Sequence, residues 1–130
     1  MDIYIAIDEK DKHKFIFKAE VIKNELLKEN LTVNYTENIE KQELTKKALC
    51  LAFTDDIEYI KRINENKNID IICITTRLES TYILELLNYV KDIYFVNVRV
   101  NETVKRIKGF VESYENRKKC IRGKNHAFKE

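Results

Sequence analysis

An open parallel α/β sheet is the fold class this sequence predicts, and three observations predict it. Short, almost wholly apolar runs recur along the 130-residue chain at 3–7, 48–53, 69–74 and 93–98. Between them lie stretches in which apolar residues fall three or four apart, the spacing of a helix with one buried face. The runs are continuously apolar rather than alternating, as expected of parallel strands covered on both sides.

Residues 3–7 form the first strand, placed centrally by their apolar character. After Asp8-Glu9-Lys10-Asp11, the residues Phe15, Ala19, Ile22 and Leu26 recur at helical spacing, with Lys and Glu on the other face. Leu31, Val33 and Tyr35 alternate with Thr32, Asn34 and Thr36, which predicts an outer second strand. The segment 37–47 is polar, anchored only by Ile39 and Leu44, and has room for one or two helical turns at most. Residues 48–53 form the third strand, after which Thr54 is placed to cap a helix carrying Ile57, Ile60 and Ile63. Residues 69–74 form the fourth strand. A helix over 80–90 follows, with Ile83, Leu84, Leu86, Leu87 and Val90 apolar, and 93–98 make the fifth strand. The last helix begins near Asn101 and turns Val104, Ile107, Val111 and Tyr114 inward.

Strands alternating with helices through short crossovers give one parallel sheet. Right-handed crossovers and a long first helix favour the order 2-1-3-4-5, a flavodoxin-like arrangement with helices on both faces and the second helix short or missing. The domain spans 1–116. Residues 117–130 turn basic and non-periodic and are expected to form a C-terminal tail.

Composition narrows the function classes. An apolar share of 44% and a charged share of 35% describe a soluble globular chain. A net charge of +2 is too near balance to argue for nucleic acid by itself. No run approaches the roughly 18–20 apolar residues of a membrane span, and the first residues lack a signal-peptide core, so the expected location is cytoplasmic, without membrane contact. Pro is absent and Gly stands only at 109 and 123, which excludes the glycine-rich loops of nucleotide-binding folds. Cys50 and Cys73 fall in apolar runs as buried thiols, and Cys120 lies in the tail. The odd cysteine count and spacing support neither a disulfide framework nor a metal site. His13 and His126 stand isolated.

In an alternating β/α fold the residues just past the strand ends line one crevice. Here it gathers Asp8, Glu9, Thr54, Asp55 and Asp56, with Thr75 and Asn97 beside them. Asp8, Glu9, Asp55 and Asp56 supply enough oxygen ligands for a magnesium ion. The plainer alternative is that Asp55 and Asp56 favour the positive N-terminus of the helix that follows.

These residues and their order resemble the receiver domain of two-component response regulators, over nearly the whole chain up to about Tyr114. The stretch NKNIDIICITTRLESTYILELLNYVKDIYFV looks like the fourth strand, fourth helix and fifth strand of LytTR-type receivers. The resemblance implies an acidic pair after the first strand, an acceptor Asp after the third, a hydroxyl residue after the fourth and a lysine after the fifth. The pair and acceptor would hold magnesium. The pair falls on Ile7 and Asp8, with Glu9 adjoining. Thr75 takes the hydroxyl place, and Tyr94 that of the aromatic residue that changes rotamer with it. Asn97 stands where the lysine would be and Val98 where proline would follow. The acceptor's expected place falls on Phe53 or Thr54, one or two residues before Asp55.

The expectation is a degenerate receiver (a pseudo-receiver), a stand-alone, non-catalytic interaction or signalling module that needs no cofactor. Its partner would be a protein or a second copy, docked on the fourth-helix to fifth-helix face through Arg77, Tyr82, Tyr89, Arg99, Lys105 and Arg106. Two alternatives stay open. One is an atypical receiver in which Asp55 accepts the phosphoryl group with magnesium bound and Thr75 senses it. The other is a nucleic-acid-associated regulator acting through Arg117, Lys118, Lys119, Arg122 and Lys124.

Overall fold

A computed structural model describes the backbone of residues 1–129 and the side chains of residues 1–117. Five parallel strands form one sheet in the order β2-β1-β3-β4-β5. They are β1 (Ile3–Ile7), β2 (Val33–Tyr35), β3 (Ala48–Phe53), β4 (Ile69–Thr75) and β5 (Asp92–Phe95). The helices are α1 (Lys12–Lys28), α2 (Ile57–Ile63), α3 (Ser80–Leu86) and α4 (Val100–Lys129). The crossover from β2 to β3 carries only a 3-10 turn, Ile39–Lys41. The architecture is the flavodoxin-like α/β fold with its second helix reduced to that turn, so the fourth and fifth helices expected from the sequence are α3 and α4.

The alternation of side chains along each strand divides the interior into two cores. Ile3, Ile5, Leu49, Leu51, Phe53, Ile72, Ile74 and Tyr94 face one side, where Phe15, Ala19, Ile22 and Leu26 of α1 and Val104, Ile107 and Val111 of α4 cover them. Phe15 and Phe53 meet edge to face with ring centroids 6.0 Å apart. Ala6, Cys50, Ala52, Ile71 and Cys73 face the other side, under Ile39, Ile60, Ile63, Tyr82, Leu86 and Val90. Each such aliphatic side chain withdrawn from water contributes about 1.5–3 kcal/mol of hydrophobic stabilisation.

α1 ends where a left-handed residue stops it. Asn30 takes φ 62°, and the Leu31 N–H donates to Leu26 O while the Asn30 N–H donates to Leu27 O. This is a Schellman closure in which Asn replaces the usual Gly, and it returns the chain directly into β2.

Several boundaries differ from the sequence reading. α2 is capped by Asp56, whose carboxylate accepts from the Glu58 N–H, rather than by Thr54. α3 stops at Leu86 and β5 at Phe95, earlier than the apolar spacing predicts. α3 also turns a different face inward. Tyr82 and Leu86 are buried, whereas Leu84 is 67% and Leu87 52% exposed. α4 runs from Val100 to Lys129.

Candidate functional site at the strand ends

The ends of β1, β3 and β4 bring Asp8, Thr54, Asp55, Asp56 and Thr75 together, as the topology predicts. Asp8 is buried; its Oδ2 accepts from Thr54 Oγ1 at 2.9 Å and its Oδ1 from the Lys10 N–H at 3.2 Å. Thr54 Oγ1 in turn accepts from the Asp56 N–H at 2.9 Å. The hydroxyl of Thr54, just past β3, ties that loop to Asp8, the acid just past β1, which no apolar residue could do.

Asp55 is the centre of the site. Its Oδ1 accepts from Thr75 Oγ1 at 2.7 Å and from the Thr76 N–H at 2.7 Å. Its Oδ2 accepts from the Thr76 hydroxyl and from Lys14 Nζ, the latter at 3.2 Å. The Asp55 N–H donates to Asp11 Oδ2 at 3.1 Å, and Lys14 stands 3.4 Å from the other oxygen of Asp11. Burial would raise the Asp55 carboxyl, but hydrogen bonds from Thr76, Thr75 and Lys14 outweigh it and hold the group below the ordinary aspartate range. A carboxylate has about four acceptor positions, and four donors fill them here.

Asp56 has its own cation. The Lys10 ammonium donates to Asp56 Oδ2, which, more than any other cause, lowers the Asp56 pKa, while Oδ1 caps α2. Lys10 and Lys14 rise from the 3-10 turn and the first turn of α1, four residues apart and thus on one side of the chain. They clamp the β1–α1 loop to the β3–α2 loop.

Thr75 is completely buried, with the Tyr82 hydroxyl 3.3 Å from its Oγ1. The Arg77 guanidinium lies over the Tyr82 ring at 4.1 Å, pairs with Glu79 and reaches the Asp55 carbonyl at 3.3 Å. The chain Asp55–Thr75–Tyr82–Arg77 therefore ties the strand-end acid to α3.

The remaining predicted residues scatter. Glu9 is exposed on the 3-10 turn, with no ion pair among the described residues. Asn97 is exposed beyond the end of β5 and makes no hydrogen bond to the cluster. Tyr94 is buried against the α1 and α4 side of the sheet, with Arg106 5.7 Å over its ring. Of the expected interface, Tyr82 is corrected outright: it is only 4% exposed, because it fills the space beneath α3 that the leucines leave. Tyr89 is half-buried with Lys61 over its ring, while Arg99, Lys105 and Arg106 are exposed. Arg117 is exposed; the side chains of Lys118, Lys119, Arg122 and Lys124 lie outside the described residues.

The magnesium ion implied by the receiver resemblance does not fit this donor set. Asp8, Asp55 and Asp56 are each turned to protein donors, and among the described residues no three His, Cys, Asp or Glu side chains converge as metal ligands. Sequence reasoning missed Lys10, Lys14, Asp11 and Thr76. The signal was present: two lysines four apart on the first turns after a strand that ends in an acid, with a second acidic pair one strand away in the sheet.

No family model, no curated protein and no solved structure matches this chain. Fold and site alone therefore define its class: a flavodoxin-like α/β domain with an acidic cluster at its strand ends in which Asp55 and Asp56 are paired with lysines. No helix among the described residues is long and apolar enough to cross a membrane.

Proposed function

We propose that the chain is a degenerate receiver, a cytoplasmic interaction module in a signalling pathway that transfers no phosphoryl group itself. The observation carrying this reading is the saturation of Asp55. A phosphoryl acceptor needs a free oxygen lone pair for attack and a cation shared with its neighbours. Asp55 has its acceptor positions filled by Thr75, Thr76 and Lys14. Asn97 adds no cation on the far side of the crevice.

The partner, a protein or a second copy, would dock on α3, β5 and α4. Leu84 on α3, Leu87 at its C-cap and the exposed Arg99, Lys105 and Arg106 supply the apolar and cationic groups that interfaces use.

Amide NMR spectra recorded with magnesium and then with beryllofluoride, a phosphoryl mimic, test the reading. It requires no shift at millimolar concentrations. Shifts spreading from Asp8 and Asp55 to Thr75 and Tyr94 would overturn it in favour of an atypical phospho-accepting receiver.

A further inference from the structure

The groove between α1 and the edge strand β2 has chemistry that the strand-end site does not use. It encloses about 300 Å³, and its apolar lining includes Ile7, Ile16 and Tyr35. β2 is only three residues long, so it stops beside Ile5 and leaves the last two residues of β1, Ala6 and Ile7, without a strand partner on that side. Ile16 is 40% and Tyr35 39% exposed, although both border other apolar groups. Three carboxylates, Glu9, Glu20 and Glu37, rim the groove against two cations, Lys12 and Lys23, the latter 4.6 Å over one face of the Tyr35 ring. None of these three acids has an ion-pair partner among the described residues, and only Glu20 is engaged, by the Tyr35 hydroxyl.

The chain carries the complement of this groove at its other end. Residues 117–130 contain six Lys or Arg and one acid, and among them stand Ile121 and Phe128. This segment cannot fill the groove of its own molecule. α4 starts at the C-terminal ends of the strands and passes Met1 at Glu115, where the terminal ammonium pairs with the Glu115 carboxylate at 3.0 Å. It then continues to Lys129, roughly 20 Å further at the rise of an α-helix. Ile7 and Glu9, by contrast, lie at the C-terminal end of β1, so the helix points away from the groove it complements.

We propose that residues 117–130 of one copy dock in the α1–β2 groove of a second copy, placing Ile121 or Phe128 on Ile16 and Tyr35 and its cations on Glu9, Glu20 and Glu37. The contact is heterologous: each copy offers a groove and a segment, so association runs head to tail and need not stop at a dimer. This does not depend on whether the strand-end site is degenerate, and it uses a surface other than the α3–β5–α4 face. Attraction between opposite charges at an exposed rim weakens steeply with salt.

Sedimentation of the full chain at rising concentration tests the proposal. The expected result is a ladder of species that collapses toward monomer in high salt. A groove variant, Glu9→Lys with Glu37→Lys, and a segment variant, Lys118→Gln with Lys119→Gln and Arg122→Gln, should each be monomeric. Mixed together they should form a heterodimer and nothing larger, since one intact groove meets one intact segment. Circular dichroism matching the unaltered chain checks that the variants fold, as expected for exposed Glu9 and Glu37. A chain that stays monomeric at every concentration overturns the proposal. So does association that survives the groove variant, or a mixture that gives no heterodimer.

Discussion

The Lys14 ammonium stands 3.2 Å from the Asp55 carboxylate, across 41 residues of sequence. The resemblance placed the site's cation at the end of the fifth strand, at the position of Asn97. The cation is instead supplied from the first helix. A tethered ammonium is monovalent and cannot bridge an incoming phosphoryl group as a divalent ion does, so the arrangement pairs Asp55 without preparing it for transfer.

Lys14→Met should raise the titration midpoint of the Asp55 carboxyl. The hydrogen bonds from Thr75 and Thr76 remain, so the shift is upward but partial. Carbon-detected NMR of the side-chain carboxyl during a pH titration reads this directly. Lys28→Met, which touches only Glu25, is the control and should leave Asp55 unmoved.

Asp55→Ala should destabilise the fold by about 1–3 kcal/mol, chiefly the cost of leaving the buried Thr75 hydroxyl without its acceptor. Thr75 Oγ1 and the Thr76 N–H both lose their partner in this variant. Asp55→Asn keeps an acceptor oxygen and should cost less. Urea unfolding of the two variants distinguishes hydrogen bonding from charge, and equal losses would show that charge alone matters.

The rotation of α3 makes a sharp contrast between two leucines. Leu86→Ala should cost about 2–5 kcal/mol, because Leu86 is completely buried. Leu84→Ala, at a position 67% exposed, should change stability by no more than about 0.5 kcal/mol. Comparable losses at the two positions would mean that α3 packs with the face that apolar spacing alone suggests.

Acid should weaken the fold through the same cluster. Asp55 and Asp56 both titrate below their ordinary values in the folded protein. Groups depressed in this way stabilise fully above the unfolded aspartate value of about 3.9, and the contribution is lost as pH falls through the folded values. Unfolding free energy measured from pH 6 downward should therefore hold level and begin to fall near pH 4. In Asp55→Asn that fall should be shallower.

Five strands, their parallel order and the missing second helix were legible in the sequence. Each depends on a local property: an apolar run for a strand covered on both faces, a periodicity of three to four for a helix, and too few anchors between Thr36 and Ala48 to make one. Asp8, Thr54, Asp55 and Thr75 were legible as neighbours too, because strand order fixes which ends adjoin. Which donor meets which acceptor was not. Lys10 with Asp56, Lys14 with Asp55 and Thr54 with Asp8 are separated by 46, 41 and 46 residues. No periodicity within either segment encodes such a meeting.

The inward face of α3 was hidden for a related reason. Ile83, Leu84, Leu86 and Leu87 are nearly equivalent in hydrophobicity, so spacing alone leaves the helix free to rotate. Tyr82 decides the rotation, because only one setting lets its ring fill the gap beneath Arg77 while its hydroxyl reaches buried Thr75. The sequence by itself thus determined the sheet, its order and the acids at its edge. Tertiary structure alone decided which donors meet those acids and that Asp55 and Asp56 are paired with lysines, since ion pairs and buried hydroxyls are settled by what distant segments place within about 3 Å of one another.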